Sequence, residues 1–284
     1  MRAKNIKRKE GKCMKNQENQ KNQNNQEVQE NNSSKFNRMT SRMLQIKAET
    51  ASNEEIKDRL LSGGRVTGTN MVVMVCAILI ASVGLNTNSI PVIIGAMLVS
   101  PLMGSILAIA YGTVSADPDL TRLHSVGFAF QIIFSLIAST IYFILSPVKA
   151  PTHELLARTS PSFFDVIIAS AGGIAGIVGQ TNKEKANNIV PGVAIATALM
   201  PPLCTCGYAI ANMNLRMLGG VAYLFLINAY FIYASACLFL SLLEIPRVRE
   251  LTPAEWRRSR MKMVRNTILV LLPCIVLAVT VGLK

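Results

Sequence analysis

"IPVIIGAMLVSPLMGSILAIAYG" (Ile90–Gly112) places Ser100-Pro101 near the middle of an apolar stretch long enough to cross a membrane, and "IVPGVAIATALMPPLCTCGYAIA" (Ile189–Ala211) repeats the arrangement around Pro201-Pro202. A proline inside a helix removes a backbone donor and clashes with the carbonyl four residues back, at a cost of about 3 kcal/mol. In lipid the groups so released have no water to turn to and need other partners. Two such sites at matching depth decide how the rest of the chain is read.

The two stretches align, pairing Pro91 with Pro191, Ala96 with Ala196 and, after a one-residue insertion, Pro101 with Pro202 and Leu102 with Leu203. Ala108-Ile109-Ala110 then falls on Ala209-Ile210-Ala211. Further out, "IAS" (Ile80–Ser82) resembles "IAG" (Ile174–Gly176), and Gln131 and Asn228 each stand three residues before a phenylalanine, Phe134 and Phe231. A chance likeness between Ala-rich and Gly-rich helices would match the apolar background, whereas here prolines and polar residues match as well. Three spans per copy is an odd number, so the second copy enters the membrane from the opposite side, an inverted-topology repeat.

A bilayer core needs about 20 mostly apolar residues per helix. Seven stretches qualify, at 70–86, 89–113, 124–146, 163–180, 188–211, 217–243 and 266–282. The expected fold is an all-α integral membrane protein of about seven transmembrane helices: two inverted three-helix repeats (70–146 and 163–243) with proline-broken central helices, plus one C-terminal helix (266–284). Residues 1–51, dominated by Asn, Gln, Lys and Glu, read as a disordered basic tail, because such a segment cannot bury enough surface to offset its ordering entropy. Residues 52–69 form a short amphipathic helix and linker. In "SNEEIKDRLLSGG", Ser52 and Glu55 make a capping box, Ile56, Leu60 and Leu61 share a side, and Gly63-Gly64 stops the helix. This helix is expected to lie at the cytoplasmic surface before the first span.

The formal net charge is +13, and residues 1–69 alone hold 15 of the 29 Lys/Arg and 8 of the 16 Asp/Glu. The rest of the excess lies largely in the basic loop 244–265, so the charge argues for a membrane surface and no nucleic-acid partner is expected. With the N-terminus in the cytoplasm the inner loops carry ten Lys/Arg (Arg122, Lys183, Lys185 and seven in the basic loop) against four outside, Lys149, Arg158, Arg216 and Lys284. That places the protein in the cell membrane as a multi-pass chain with a cytoplasmic N-terminus and an extracytoplasmic C-terminus. The six cysteines lack the spacing of a disulfide framework, and Cys204 with Cys206 has no histidine close enough in sequence to suggest a metal site.

The breaks would free carbonyls at the end of one half-helix and amides at the start of the next. Ser100-Pro101 reads as a cap and first-turn pair, and the opposed copy should restart near Pro202. Two positive helix ends meeting at mid-depth could bind an anion or a small carboxylate without a fixed charge. The candidate substrate-binding residues are Ser100, Pro101, Leu102, Thr197, Pro201, Pro202 and Thr205, lined by Gln131 and Asn228. The alternative for the prolines is a kink absorbed by packing among small residues, which also suit a homo-oligomer. Asp165, three residues after Ser162, reads as a first-turn helix residue and not as a proton carrier. No cofactor or metal is called for, and with no paired carboxylates or nucleophile-base set in the spans the chain is not expected to be an enzyme.

At "ASVGLNTNSIPVIIGAMLVSPLMGSILAIAYG" (Ala81–Gly112) and "GGIAGIVGQTNKEKANNIVPGVAIATALMPPLCTCGYAIA" (Gly172–Ala211) the chain resembles the hydrophobic bacterial and archaeal membrane proteins described as domain of unknown function three-eight-nine. The resemblance runs loosely from Glu54 to Leu243. Where many members read "SPLMGPI", this chain has Ser105, which softens the first break. The resemblance implies an integral membrane protein of the cell envelope and brings no activity with it. The expected function is a transporter or channel-like permease for a small solute. The alternative is a non-transporting scaffold or sensor that holds a cytoplasmic partner or anionic lipid.

Overall fold

The computed structural model describes residues 50–182 and 190–248, together with Met261, Arg265, Ile268 and Val270; for 190–198 it describes the backbone alone. The basic tail, most of the basic loop, nearly all of the seventh apolar stretch and the Thr197 side chain lie outside the described residues. The chain divides into Met1–Thr50 and Ala51–Lys284, and the fold described is that of the second unit.

Its described elements are helices: α1 (Asn53–Gly63), α2 (Gly68–Asn86), α3 (Ile90–Val99), α4 (Leu102–Val114), α5 (Pro118–Leu145), α6 (His153–Ala157), α7 (Phe163–Thr181), α8 (Val190–Ala211) and α9 (Leu215–Leu242). Four of them, α2, α5, α7 and α9, are long and apolar enough to cross a membrane, and α3 with α4, bent by 45°, makes a fifth if the pair is counted as one span. The stretches expected to span at 70–86, 89–113, 124–146, 163–180 and 217–243 are thus helical and long enough. Of α8, the part with described side chains, Leu199–Ala211, is apolar but shorter than a span.

Local sequence sets where these helices start. Asp117 caps α5 by accepting the Leu120 amide at 3.0 Å, with Pro118 in the first turn, and Asn214 caps α9 by accepting the Met217 amide at 3.0 Å. At α7 the Ser162 amide and hydroxyl both donate to Asp165 Oδ2 at 2.7 Å. The acid is used as a helix-start residue, as its spacing suggested.

The pattern of burial on α5 is inside-out. Its buried residues include His124, Gln131, Ser135 and Ser139, while Leu123, Val126, Phe130, Ile133, Ile137 and Ile141 face outward. A helix in water hides its apolar side. A helix in lipid does the reverse, turning its few polar groups to the protein interior.

In the centre stands α8, packed against α2, α3, α4, α5, α7 and α9. Around it α2 packs on α3 and α5, and α4 on α5; in the second half α7 packs on α8 and α9, and α8 on α9. Between the halves α4 packs on α9 and α8 on α5. Both α2 and α7 have 19 residues, and both α5 and α9 have 28.

One expectation is corrected. A second half-helix was expected to start near Pro202, but α8 is helical from Val190 to Ala211 with Pro201 and Pro202 inside it. Every residue from Leu199 to Ala209 is buried, so neighbours on all sides hold the chain helical despite the lost donors. α1 has one buried apolar edge, and Glu54, Glu55, Lys57 and Asp58 on its other side are exposed. Ile56 and Leu60 are fully enclosed, and the helix is wedged between α4 and the end of α7.

Candidate functional site

The break between α3 and α4 follows from the Ser-Pro pair. A residue before proline is driven out of the helical region, and Ser100 is extended, with φ −71° and ψ 127°, which ends α3 at Val99. The new helix starts one residue past the proline, its Leu102 amide 3.4 Å from Ser100 Oγ. The freed turn is partly repaired by the Ser100 amide, which donates to Met97 O at 3.3 Å, and by the Gly104 amide, which donates to Pro101 O at 3.2 Å. Ser100 and Pro101 are half-buried and Leu102 is buried.

One turn into α4, Ser105 Oγ donates to Gln131 Oε1 at 3.0 Å, with both groups buried. Gln131 therefore stands beside the restarted half-helix. It begins a polar row at four-residue spacing on α5. Below it Ser135 Oγ lies 3.4 Å from Met74 Sδ, and Ser139 Oγ lies 3.3 Å from Ser82 Oγ and donates to Cys204 O at 2.9 Å. The row thus meets α4, α2 and α8 in turn.

On α8 Thr205 Oγ1 donates to Pro201 O at 2.8 Å, one turn back on the same helix. Thr205, Pro201 and Pro202 are buried within α8, and Asn228 is buried on α9. Gln131 and Asn228 occupy the same register of their helices, each fourteen residues beyond its cap (117 to 131, 214 to 228). Their phenylalanines part company: Phe134 is 46% exposed and Phe231 is 8% exposed. A cavity of about 380 Å³ opens between α4, α5 and α9, but its walls are mostly apolar, with Tyr230 and Tyr233 beside Ile106, Phe128, Leu226 and Ala229, and include none of the candidate residues.

Residues 97–234 match the family model described as Domain of unknown function (DUF389). That part of the chain is similar to the DUF389 family. It runs from Met97, just before the break, to beyond Asn228, and so contains every candidate residue. The chain is also similar to an uncharacterized protein, MJ0678, of Methanocaldococcus jannaschii, with 28% identity over 172 residues, which cover 61% of this chain and 53% of the relative. The chain thus spans about half the length of that curated relative. No solved structure matches it.

Within the matched residues the sequence reading missed the serine row. The signal was present as Gln131, Ser135 and Ser139 at i, i+4 and i+8, which puts all three on one helical face. Gly207, one of the small residues around the prolines, does serve close helix contact. A Cβ there would fall on Ser139 Oγ and Cβ, so only glycine lets α8 approach α5 this closely. The glycine run of α7 is likewise a seam within the chain, since a Cβ on Gly173 would strike Ser235 Oγ and the Ile232 carbonyl of α9. Among the described residues no group of three or more His, Cys, Asp or Glu side chains is placed to hold a metal.

Proposed function

We propose that the protein is an integral membrane transporter or channel-like permease for a small solute, an anion or small carboxylate, that binds where the broken span (α3 and α4) meets the polar row of α5. The observation that carries the reading is the pairing of a main-chain break at Ser100-Pro101 with the buried Ser105–Gln131 hydrogen bond, inside helices whose outward faces are apolar. Polar groups at such depth are costly, and they sit where a solute path needs them. Matching helix lengths, the recurring packing pattern and the shared register of Gln131 and Asn228 support an inverted repeat, in which solute sites lie between the two copies. The pathway is closed in this arrangement, and a solute would reach Gln131 once α4 and α5 part.

The test is flux. Purified protein in liposomes is offered chloride, nitrate, acetate, sodium or potassium, and Gln131→Leu is compared with the parent. Uptake of one class by the parent, with a severalfold loss in the variant, supports the reading; no flux of any of them defeats it.

The continuous, enclosed α8 favours a second reading, a membrane anchor that transports nothing and presents its basic segments to a cytoplasmic partner or anionic lipid. Removing residues 1–47 separates the two, since a permease keeps its flux and an anchor loses its partner.

A further inference from the structure

α1 precedes both halves of the helical unit and is held by both. On the side of the first half its C-terminal diglycine lies against α4: a Cβ on Gly104 would fall on the Gly63 carbonyl, and one on Gly64 would lie 2.6 Å from Ala108 Cβ. His124 Nδ1, at the start of α5, is 3.0 Å from the Gly64 carbonyl, which can only accept, so this nitrogen carries the proton. On the side of the second half the Ala51 amide donates to Thr181 O at 2.7 Å. Arg59 Nη1 donates to Asn182 O at 2.7 Å and lies 3.4 Å from Gln180 O. These are carbonyls at the end of α7, which the helix itself leaves unpaired and which carry its negative partial charge. Glu55 Oε1 receives the other guanidinium nitrogen at 2.6 Å and fixes its direction.

We propose that α1 is a clasp. It fastens α4, three residues beyond Pro101, to the end of α7, and the candidate pathway opens at this end of the bundle only when α1 lets go. The proposal rests on the permease reading and names the control on its site. Its physical basis is that every attachment but the buried Ile56 and Leu60 uses main-chain groups or closest-approach glycines, which fix one position of α4 relative to α7 and tolerate no sliding. Repeat-built transporters move by rocking one half on the other, and an element bonded to both halves holds them together. The clasp is also separable. It is an 11-residue helix, too short to be stable by itself, and residues 65–67 link it to α2.

Two buried thiols on the central helix, Cys204 and Cys206, report opening without any knowledge of the solute. The full-length protein in liposomes is treated with a charged methanethiosulfonate, and the label on the peptide bearing these cysteines is counted by mass spectrometry. Arg59→Ala removes the guanidinium from the α7 carbonyls. Ala51→Pro, outside any helix, removes the amide donated to Thr181 and also fixes φ and adds a ring at a buried position. Each variant is expected to label about tenfold faster than the parent, the shift that one hydrogen bond of this kind supplies, while circular dichroism and elution volume stay unchanged. Arg59→Lys should fall between. Parent-like labelling in folded Arg59→Ala and Ala51→Pro overturns the clasp, whatever the flux. Faster labelling in a protein that moves no solute keeps the clasp and removes the permease reading.

Discussion

Two proline sites lie at corresponding points of the two aligned stretches and behave differently. Ser100-Pro101 ends one helix and starts another at a 45° bend, whereas Pro201-Pro202 lies inside a helix that continues on both sides. Two prolines should disturb α8 more than one disturbs α3 and α4, since each removes a donor. The reverse holds because of what precedes and surrounds them. Ser100 is half-buried and its hydroxyl reaches the next free amide, so leaving the helix offers it a partner. Met200 is apolar and buried, its neighbours in α8 are enclosed by other helices, and an extended residue there would expose main chain to an apolar interior. A proline breaks a membrane helix where the freed groups have somewhere to go.

The comparison is tested hardest at the prolines themselves. Pro202→Ala restores a donor inside a continuous helix and should stabilise the fold by about 3 kcal/mol, the interior penalty of proline relative to alanine. Pro101 stands at a helix start, where proline is tolerated. Pro101→Ala should therefore leave stability nearly unchanged while relaxing the bend, seen as a longer distance between spin labels at the far ends of α3 and α4. Denaturant or detergent unfolding gives the stabilities. Equal effects at the two sites would mean that the surroundings of α8 do not hold it straight.

Next in size is the contact that encloses α8. Gly207→Leu drives a side chain into Ser139 and should cost about 2 kcal/mol, whereas Gly95→Leu, at a glycine with open space around it, should cost well under 1 kcal/mol. The unfolding assay reads both. A Gly207→Leu protein as stable as the parent would remove packing as the reason for the straight helix.

The sequence carried the helical class, the positions of five long apolar spans, the caps at Ser52 and Ser162 and the break at Ser100, because each depends on residues within a turn or two of one another. The continuity of α8 was not legible, since it depends on helices remote in sequence that close around Leu199–Ala209. The docking of α1 was hidden for the same reason. Its diglycine is an ordinary helix stop when read locally, and only the fold shows that Gly104 leaves room for it. At the candidate site Gln131 was identified from its alignment with Asn228, but its partner Ser105 was read only as a small residue.

A smaller effect is expected inside that pair. Gln131→Leu leaves Ser105 Oγ buried without its acceptor and should cost about 1.5 kcal/mol by the unfolding assay. Ser139→Ala should cost less, about 0.6 kcal/mol, because polar contacts between membrane helices average no more than that. If both were neutral, the polar row would add nothing to the fold and its presence in the interior would be left to function alone.

The smallest effects test whether the two halves are copies at all. The turn from α4 to α5 and the turn from α8 to α9 share almost no side chains, yet their main chains match. The Ser115, Ala116 and Asp117 amides donate to Tyr111, Thr113 and Gly112 carbonyls, and those of Asn212, Met213 and Asn214 donate in the same order to Tyr208, Ile210 and Ala209. Ala116 and Met213 both have positive φ, at 57° and 54°, and each precedes a capping Asp or Asn. A left-handed turn on non-glycine residues is uncommon; Asn88 and Glu244 adopt it too, at 54° and 57°, so what sets this pair apart is its place, fifteen residues before Gln131 and Asn228. Asp117→Ala and Asn214→Ala should therefore cost the same, about 1 kcal/mol each. Ala116→Gly and Met213→Gly should each recover a few tenths of that by relieving the left-handed residue. Unequal cap costs would show that the two turns are alike in outline only, and the repeat would then rest on the prolines that already behave differently.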